Sequence, residues 1–251
     1  MNFYAGYDAA VFPGVDSMAW LKRHSNLRWC GYYLAPAPNL APAAASWRGQ
    51  RAAIAADWGL APLYVGQQMP AQAAPDQPAP LFSSILTAAQ GRLDGAAAVA
   101  LARRDGFPAG SYIYIDWEDG GALTAAAQDY LAAWLSTVDG RGFGPAIYCS
   151  HLLGSHAGEM LAGLGLRHPG RIWCYKVGST ALHPLAVPLT ALPQPDPAGS
   201  GFAGALLWQR EQNAWFERPD TGQRIVADFS SAALADPGAP AAATRRKSRP
   251  G

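Results

Sequence analysis

Short runs rich in Tyr, Ile, Val and Trp alternate along this chain with longer alanine-rich segments, and no other feature restricts its fold so tightly. Runs that are apolar on both faces suit parallel strands covered by helices on one side and packed side chains on the other. Eight are present: Phe3–Asp8, Trp29–Leu34, Pro62–Gln67, Tyr112–Glu118, Pro145–Ser150, Arg171–Val177, Ala205–Arg210 and Ile225–Phe229. Between them, Asp16–Ser25 opens on a capping-type Asp and turns Met18, Leu21 and Trp20 toward the sheet. Ser46–Trp58, Arg92–Arg104 and Thr124–Val138 are further helix formers, the last with Leu131, Leu135 and Val138 on one face. The fifth crossover, Gly154–Leu164, is short and glycine-interrupted, and the sixth, Ser179–Phe202, holds too many prolines for a regular helix. The pattern predicts an α/β fold, a TIM-type (β/α)8 barrel over residues 1–235, irregular around strands five to seven.

Composition narrows the function. A net charge of +1, from 19 basic and 18 acidic residues, supplies no field for nucleic acid or an anionic membrane, so neither is an expected partner. Cys30, Cys149 and Cys174 are widely spaced and form no CxxC pair, which argues against a disulfide framework or a structural zinc. No GxSxG, P-loop or HExxH motif occurs, and neither a cofactor nor a metal is expected. No run is long enough to span a bilayer, and no basic residue precedes Lys22 to start a signal peptide. A monomer is expected, acting at the cell envelope or outside the cell by a non-classical route. Met69–Pro80 reads as a surface loop that overhangs a site or is a plain insertion. Residues 236–251, with Arg245, Arg246, Lys247 and Arg249, read as a disordered tail.

The chemistry concentrates in Tyr112-Ile-Tyr-Ile-Asp-Trp-Glu118. Strand side chains alternate, so Asp116 and Glu118 face one way with Tyr112 and Tyr114 behind them, while Ile113, Ile115 and Trp117 face the other. Residues at the carboxyl ends of barrel strands line the active-site mouth. Asp8 ends the first run, and Asp228 lies in the last, its neighbour in a closed barrel, so four carboxyls are expected to meet. Mutual repulsion and partial burial then raise at least one of their pKa values toward neutrality. Glycoside hydrolysis uses that combination: a protonated carboxyl for the leaving oxygen and an ionised one for the oxocarbenium-like centre. Tyr7, Tyr33, Tyr64, Trp117, Tyr148, Tyr175 and Trp208 lie at or near strand ends where rings stack on sugars, though most aromatics in such a barrel are core. Gln67 and Gln68 are candidate partners for sugar hydroxyls, and His151 a candidate aid to proton transfer.

An Asp ending strand one, Asp116-Trp-Glu118 ending strand four, Trp208-Gln209 on strand seven and Asp228 on strand eight resemble the family 25 glycoside hydrolases, the lysozymes that cut peptidoglycan. Gly6-Tyr-Asp8, Gly106-Phe-Pro-Ala-Gly110 and Ile113-Tyr-Ile-Asp-Trp-Glu118 are more similar still to the related glycoside-hydrolase-like domain of unknown function 1906. The resemblance implies Glu118 as general acid and Asp116 as the partner that orients or stabilises the sugar. It also implies Asp8 and Asp228 as groups that position water or substrate, with Gln209 and the aromatics around them. Ala9-Ala10 after Asp8, Arg210 after Gln209 and Phe229-Ser230 after Asp228 depart from the lysozyme pattern and bear on substrate identity. Three functions are consistent with these residues: a lysozyme-like glycosidase acting on peptidoglycan or a related amino-sugar polymer, a carbohydrate-binding barrel without turnover, and a metal-dependent phosphodiesterase.

Overall fold

A computed structural model of the protein describes residues 2–35, 45–69 and 84–241. The strands are β1 (Tyr4–Asp8), β2 (Leu27–Tyr33), β3 (Gly59–Val65), β4 (Tyr112–Asp116), β5 (Gly144–Ser150), β6 (Arg171–Tyr175), β7 (His183–Pro184), β8 (Leu207–Glu217) and β9 (Arg224–Ala232). The helices are α1 (Val15–His24), α2 (Arg51–Ile54), α3 (Ala88–Arg104), α4 (Ala125–Gly140) and α5 (Gly154–Gly163). Strands β1 to β6 pair in sequence order and in parallel, β6 pairs with β8, β8 with β9, and β9 returns to β1. The result is a closed eight-stranded α/β barrel, with the two-residue β7 appended to the outer part of β8.

The last strand differs from the expected (β/α)8 pattern. β9 follows β8 through a hairpin and runs antiparallel to both β8 and β1. An apolar run carries no direction, and only the short connection Arg218–Gln223 distinguishes a hairpin from a crossover. The crossover from β6 to β8 contains β7 and short 3-10 turns but no α-helix, as its prolines require. The segment expected as a helix over Ser46–Trp58 forms only the single turn of α2, and burial there is carried by Trp47, Ile54 and Trp58. Helix α1 is not capped by Asp16: its N-cap is Gly14 at φ 93°, and Asp16 lies in the first turn. Thr124 and Thr87 do cap α4 and α3, accepting from the backbone N–H groups of Ala127 and Gln90.

Two apolar layers follow from strand alternation. Outward residues such as Ile113, Ile115, Trp117 and Cys149 pack against the helices, while Trp29, Tyr112, Tyr114, Tyr148 and Trp173 fill the lumen. Trp173 stands edge-on to Trp29, Tyr114 and Tyr148 with centroids 5.3, 5.9 and 5.1 Å away, which seals the lower lumen. Gly6 leaves room for this filling, since a Cβ there would sit 2.0 Å from the Trp29 indole.

The stretch after Ala235 is also corrected at its start. The Pro237 carbonyl accepts from Tyr114 Oη (3.0 Å) and Arg171 Nη1 (2.6 Å), and the Gly238 carbonyl accepts from the Tyr112 N–H. Asp236 accepts from the Leu60 N–H at 3.0 Å. Residues 236–238 thus close the base of the barrel, because the buried Arg171 and Tyr114 need acceptors there. The basic run Arg245–Arg249, and Met69–Pro80 from residue 70 onward, lie outside the described residues. No helix among those described is long and apolar enough to cross a membrane.

Candidate active site

Asp8 is the last residue of β1 and Asp116 the last of β4, so both reach the rim where parallel strands end. Asp228 reaches the same rim differently. On an antiparallel strand that rim lies toward the start, and the register sets Asp228 directly opposite Asp8. Gly31 on β2 permits the approach on the other side, since a Cβ there would sit 2.5 Å from Asp8 Cβ. Glu118 lies two residues beyond Asp116 on the same face. Its backbone is held by Gln68, whose amide accepts from the Glu118 N–H (3.0 Å) and donates to the Asp116 carbonyl (2.7 Å). Tyr175 Oη donates to the Glu118 carbonyl at 2.5 Å.

Asp116, Glu118 and Asp228 border two adjoining spaces, and Asp8 borders the deeper of them. A cavity of about 510 Å³ runs between the Ala9–Pro13 loop and the Gln223–Asp228 segment and is bordered by Tyr33, Asp116 and Glu118. A deeper recess of about 40 Å³ lies among Asp8, Asp116, Glu118, Tyr148, Asp228 and the Trp173 floor. Gln209 is the hub beneath them. Its Nε2 donates to Asp8 Oδ1 (3.2 Å) and Asp228 Oδ2 (3.4 Å), and its Oε1 accepts from Tyr148 Oη (2.7 Å) and Gln212 Nε2 (2.9 Å). Tyr33 Oη donates to Asp8 Oδ2 at 3.1 Å. Irregular register in β8 sets Asn213 at φ 56° and aims its N–H at Asp228 Oδ1, 2.7 Å away.

Burial dominates the electrostatics. It pushes the Asp8 carboxyl well above the usual range; Asp228 and Glu118 add to the rise, and the Gln209 and Tyr33 hydrogen bonds only partly offset it. Asp116 is raised well above as well, by burial and then by Glu118, Asp8 and Asp228. It is 4% exposed, and its Oδ1 has no hydrogen-bond partner. Burial raises Asp228 to about 6 against the pull of the Asn213 N–H, and Glu118, exposed at the mouth, is raised by partial burial. Tyr33 and Tyr148 are pushed up by burial and the neighbouring acids, so both remain donors. Among the described residues no three His, Cys, Asp or Glu side chains are grouped to hold a metal ion.

Of the residues expected at the site, Asp8, Asp116, Glu118, Asp228, Tyr33, Tyr148, Tyr175 and Gln209 come together. Tyr7, Tyr64, Gln67 and Trp208 do not. Tyr7 is fully buried on the outer face, with its hydroxyl on Met18 Sδ and its ring against Trp47 and Trp58. Tyr64 packs on Trp134 between sheet and helices. Gln67 bonds to Asp94 of α3 and to the Ile85 N–H. Trp208 points out of the lumen, its indole donating to the Lys176 carbonyl. Tyr7, Tyr64 and Trp208 sit one residue out of phase with an inward neighbour, and that parity assigns them outward. Trp117 is likewise in the outer layer, and His151 borders neither space. Sequence reasoning missed Asn213 and the clamp role of Gln68. The polar stretch Gln209-Arg-Glu-Gln-Asn213 between Leu207-Trp208 and Ala214-Trp215-Phe216 was the available signal for the former.

The family model described as Rv2525c-like, glycoside hydrolase-like domain matches residues 19–233. No curated protein matches the chain. Among solved structures, an uncharacterized B. stearothermophilus protein is similar at 20% identity and TM-score 0.61, covering 91% of this chain and 95% of that one. The Mycobacterium tuberculosis Tat-secreted protein Rv2525c, in complex with HEPES, is similar at 15% identity and TM-score 0.53. Its complex with L-tartrate gives 13% and 0.51, and in both crystal forms the match covers 94% of this chain and 97% of the other. At these identities the structural likeness concerns the fold.

Proposed function

Because this chain belongs to the Rv2525c-like, glycoside hydrolase-like domain family, we propose that it hydrolyses a glycosidic bond in peptidoglycan or a related amino-sugar polymer, in the manner of a lysozyme. The observation that carries this reading is the meeting of carboxyls from β1, β4 and β9 at one cavity, with Glu118 exposed and its side chain free of hydrogen bonds among the described residues. Glu118, held above the usual carboxyl range, gives its proton to the leaving oxygen as the bond from that oxygen to the anomeric carbon breaks. Asp228, at about 6, is ionised at neutral pH and stabilises the positive sugar; water then adds to the anomeric carbon and returns a proton to the site. The resemblance implies Asp116 for the anionic role, but burial without a donor makes it the poorest of the four at holding negative charge in the resting bowl. Asp8, tied to Tyr33 and Gln209, positions the others.

The test is release of reducing ends from purified peptidoglycan, chitin and related glycans. Glu118→Gln should lower the rate by about 100-fold or more. Its melting temperature should equal or exceed that of the wild type, since a like charge is removed. Failure of the wild-type protein to cleave any of these polymers overturns the enzymatic reading. A second reading, a cell-wall-binding barrel without turnover, is favoured by the buried, unpartnered Asp116. Retention on insoluble peptidoglycan without products, unchanged in Glu118→Gln, would establish it. The Tat-secreted character of the M. tuberculosis relative supports a site of action at the envelope.

A further inference from the structure

The bowl is chemically one-sided. Its hydroxyl and amide donors are engaged among its own members: Tyr33 on Asp8, Tyr148 and Gln212 on Gln209, and Gln209 and the Asn213 N–H on Asp8 and Asp228, while the Trp173 indole N–H of the floor is covered and unpartnered. What remains without a partner along the open space is carboxyl, namely Glu118 at the mouth and Asp116, which borders both spaces and whose Oδ1 is covered and unpartnered. No Lys or Arg borders the deep recess, and the one cation bordering the larger cavity is Arg224. The Arg224 guanidinium already pairs with Glu217 at 3.1 Å and lies 4.0 Å from the centroid of the Trp215 ring. A metal ion is a poor complement, because no three ligands are grouped for one among the described residues.

We propose that the bowl selects an amino sugar whose nitrogen is free, a hexosamine unit carrying an ammonium group that docks on Asp116. This rests on the glycan-binding reading above and names the substrate class for the same site. An ammonium brings three donors and no acceptor, whereas an acetamido group brings one donor and a carbonyl that meets no cation and no uncommitted hydroxyl or amide in the recess. It pairs with the Asp116 carboxyl where that group borders the recess and offsets the repulsion among Asp8, Asp116, Glu118 and Asp228. The sugar hydroxyls add donors for the remaining carboxyl oxygens, and the apolar wall of Ala9, Ala10, Ile225 and Ala227 receives the carbon face of the ring. Asp116 gives up its proton as the ammonium binds, because the cation favours the ionised form.

The experiment is calorimetric titration of the full chain with the tetramer of β-1,4-linked glucosamine and with its fully N-acetylated counterpart, at one ionic strength. Wild-type protein should bind the free-amine tetramer about tenfold more tightly or better, the size expected of a charge-assisted hydrogen bond in a partly buried site. The ratio should fall toward one in Asp116→Asn, and in Asp228→Asn if Asp116→Asn does not fold. Equal or tighter binding of the N-acetylated tetramer overturns the inference and leaves the glycan reading standing. So does a preference for the free amine that survives in the folded variants, since the attraction then lies elsewhere on the surface. Binding of neither tetramer overturns both. Preference without cleavage supports the inference and removes turnover alone.

Discussion

Gln209 shows how much of this site depends on one amide. Its nitrogen serves two acids and its oxygen two donors, and it is 1% exposed. Replacing it with Met keeps the volume but strands Asp8 Oδ1 and Tyr148 Oη in a buried setting. The expected cost is about 1–3 kcal/mol, read as a lower urea midpoint with an unchanged slope. A midpoint within error of the wild type would mean that water replaces the amide freely and the network holds nothing. Gln68 works in a different way. Where the pairing of β3 with β4 ends at Val65 and Asp116, its side chain bonds the backbone of Asp116 and Glu118 as a neighbouring strand would. That amide is why Glu118 continues the strand's parity for two residues past the last ladder bond.

At the scale of elements, the base of the barrel depends on residues 236–238. Ending the chain at Ala235 leaves Arg171 Nη1, Tyr114 Oη and the Leu60 N–H without their acceptors. Relative to a chain ending at Ala241, the loss should exceed about 3 kcal/mol, given about 1–3 kcal/mol for each buried polar group left unpaired. A melting temperature unchanged by that truncation would show the base to be closed without this segment. Its Asp-Pro-Gly-Ala-Pro composition resembles a linker, and its value lies in carbonyls that composition does not display, which is why the sequence reads as a tail from 236 onward. The strands were legible because each run is apolar and bounded by turn residues, and the helices α3 and α4 because both segments are good helix formers, α4 with Leu131, Leu135 and Val138 on one face. The direction of β9 was not, since pairing sense resides in connection length. Even so, Asp228 was rightly placed beside Asp8: neighbouring strands in a closed ring meet whichever way the last one runs, and register supplies the height.

The whole molecule carries a pH signature set by the bowl. Asp8, Asp116 and Asp228 bind protons more tightly folded than unfolded, so above pH of about 4 the native state holds more protons than the unfolded chain. Stability from these groups is therefore fully present below the ordinary Asp value and is lost as pH rises through the folded one. For Asp228, raised to about 6, this amounts to about 3 kcal/mol lost between about pH 4 and 6. Asp8 and Asp116 extend the decline upward. His183, raised by the Ala181 carbonyl and Glu211, loses its smaller contribution in the same direction. Asp139 acts oppositely. Burial works against its ionised form, yet the Arg167 N–H and His168 hold it below the usual range, so its contribution is lost on acidification below about pH 4. The melting temperature should peak near pH 4 and fall toward pH 8, and Asp116→Asn or Asp228→Asn should flatten that fall. A profile that is flat or rising between pH 5 and 7 would contradict the raised carboxyls. A bowl that sheds protons as it loses stability is stabilised by whatever neutralises it, so an ammonium-bearing ligand at fixed saturation should raise the melting temperature more at pH 7 than at pH 5, whereas a neutral sugar should raise it about equally at both.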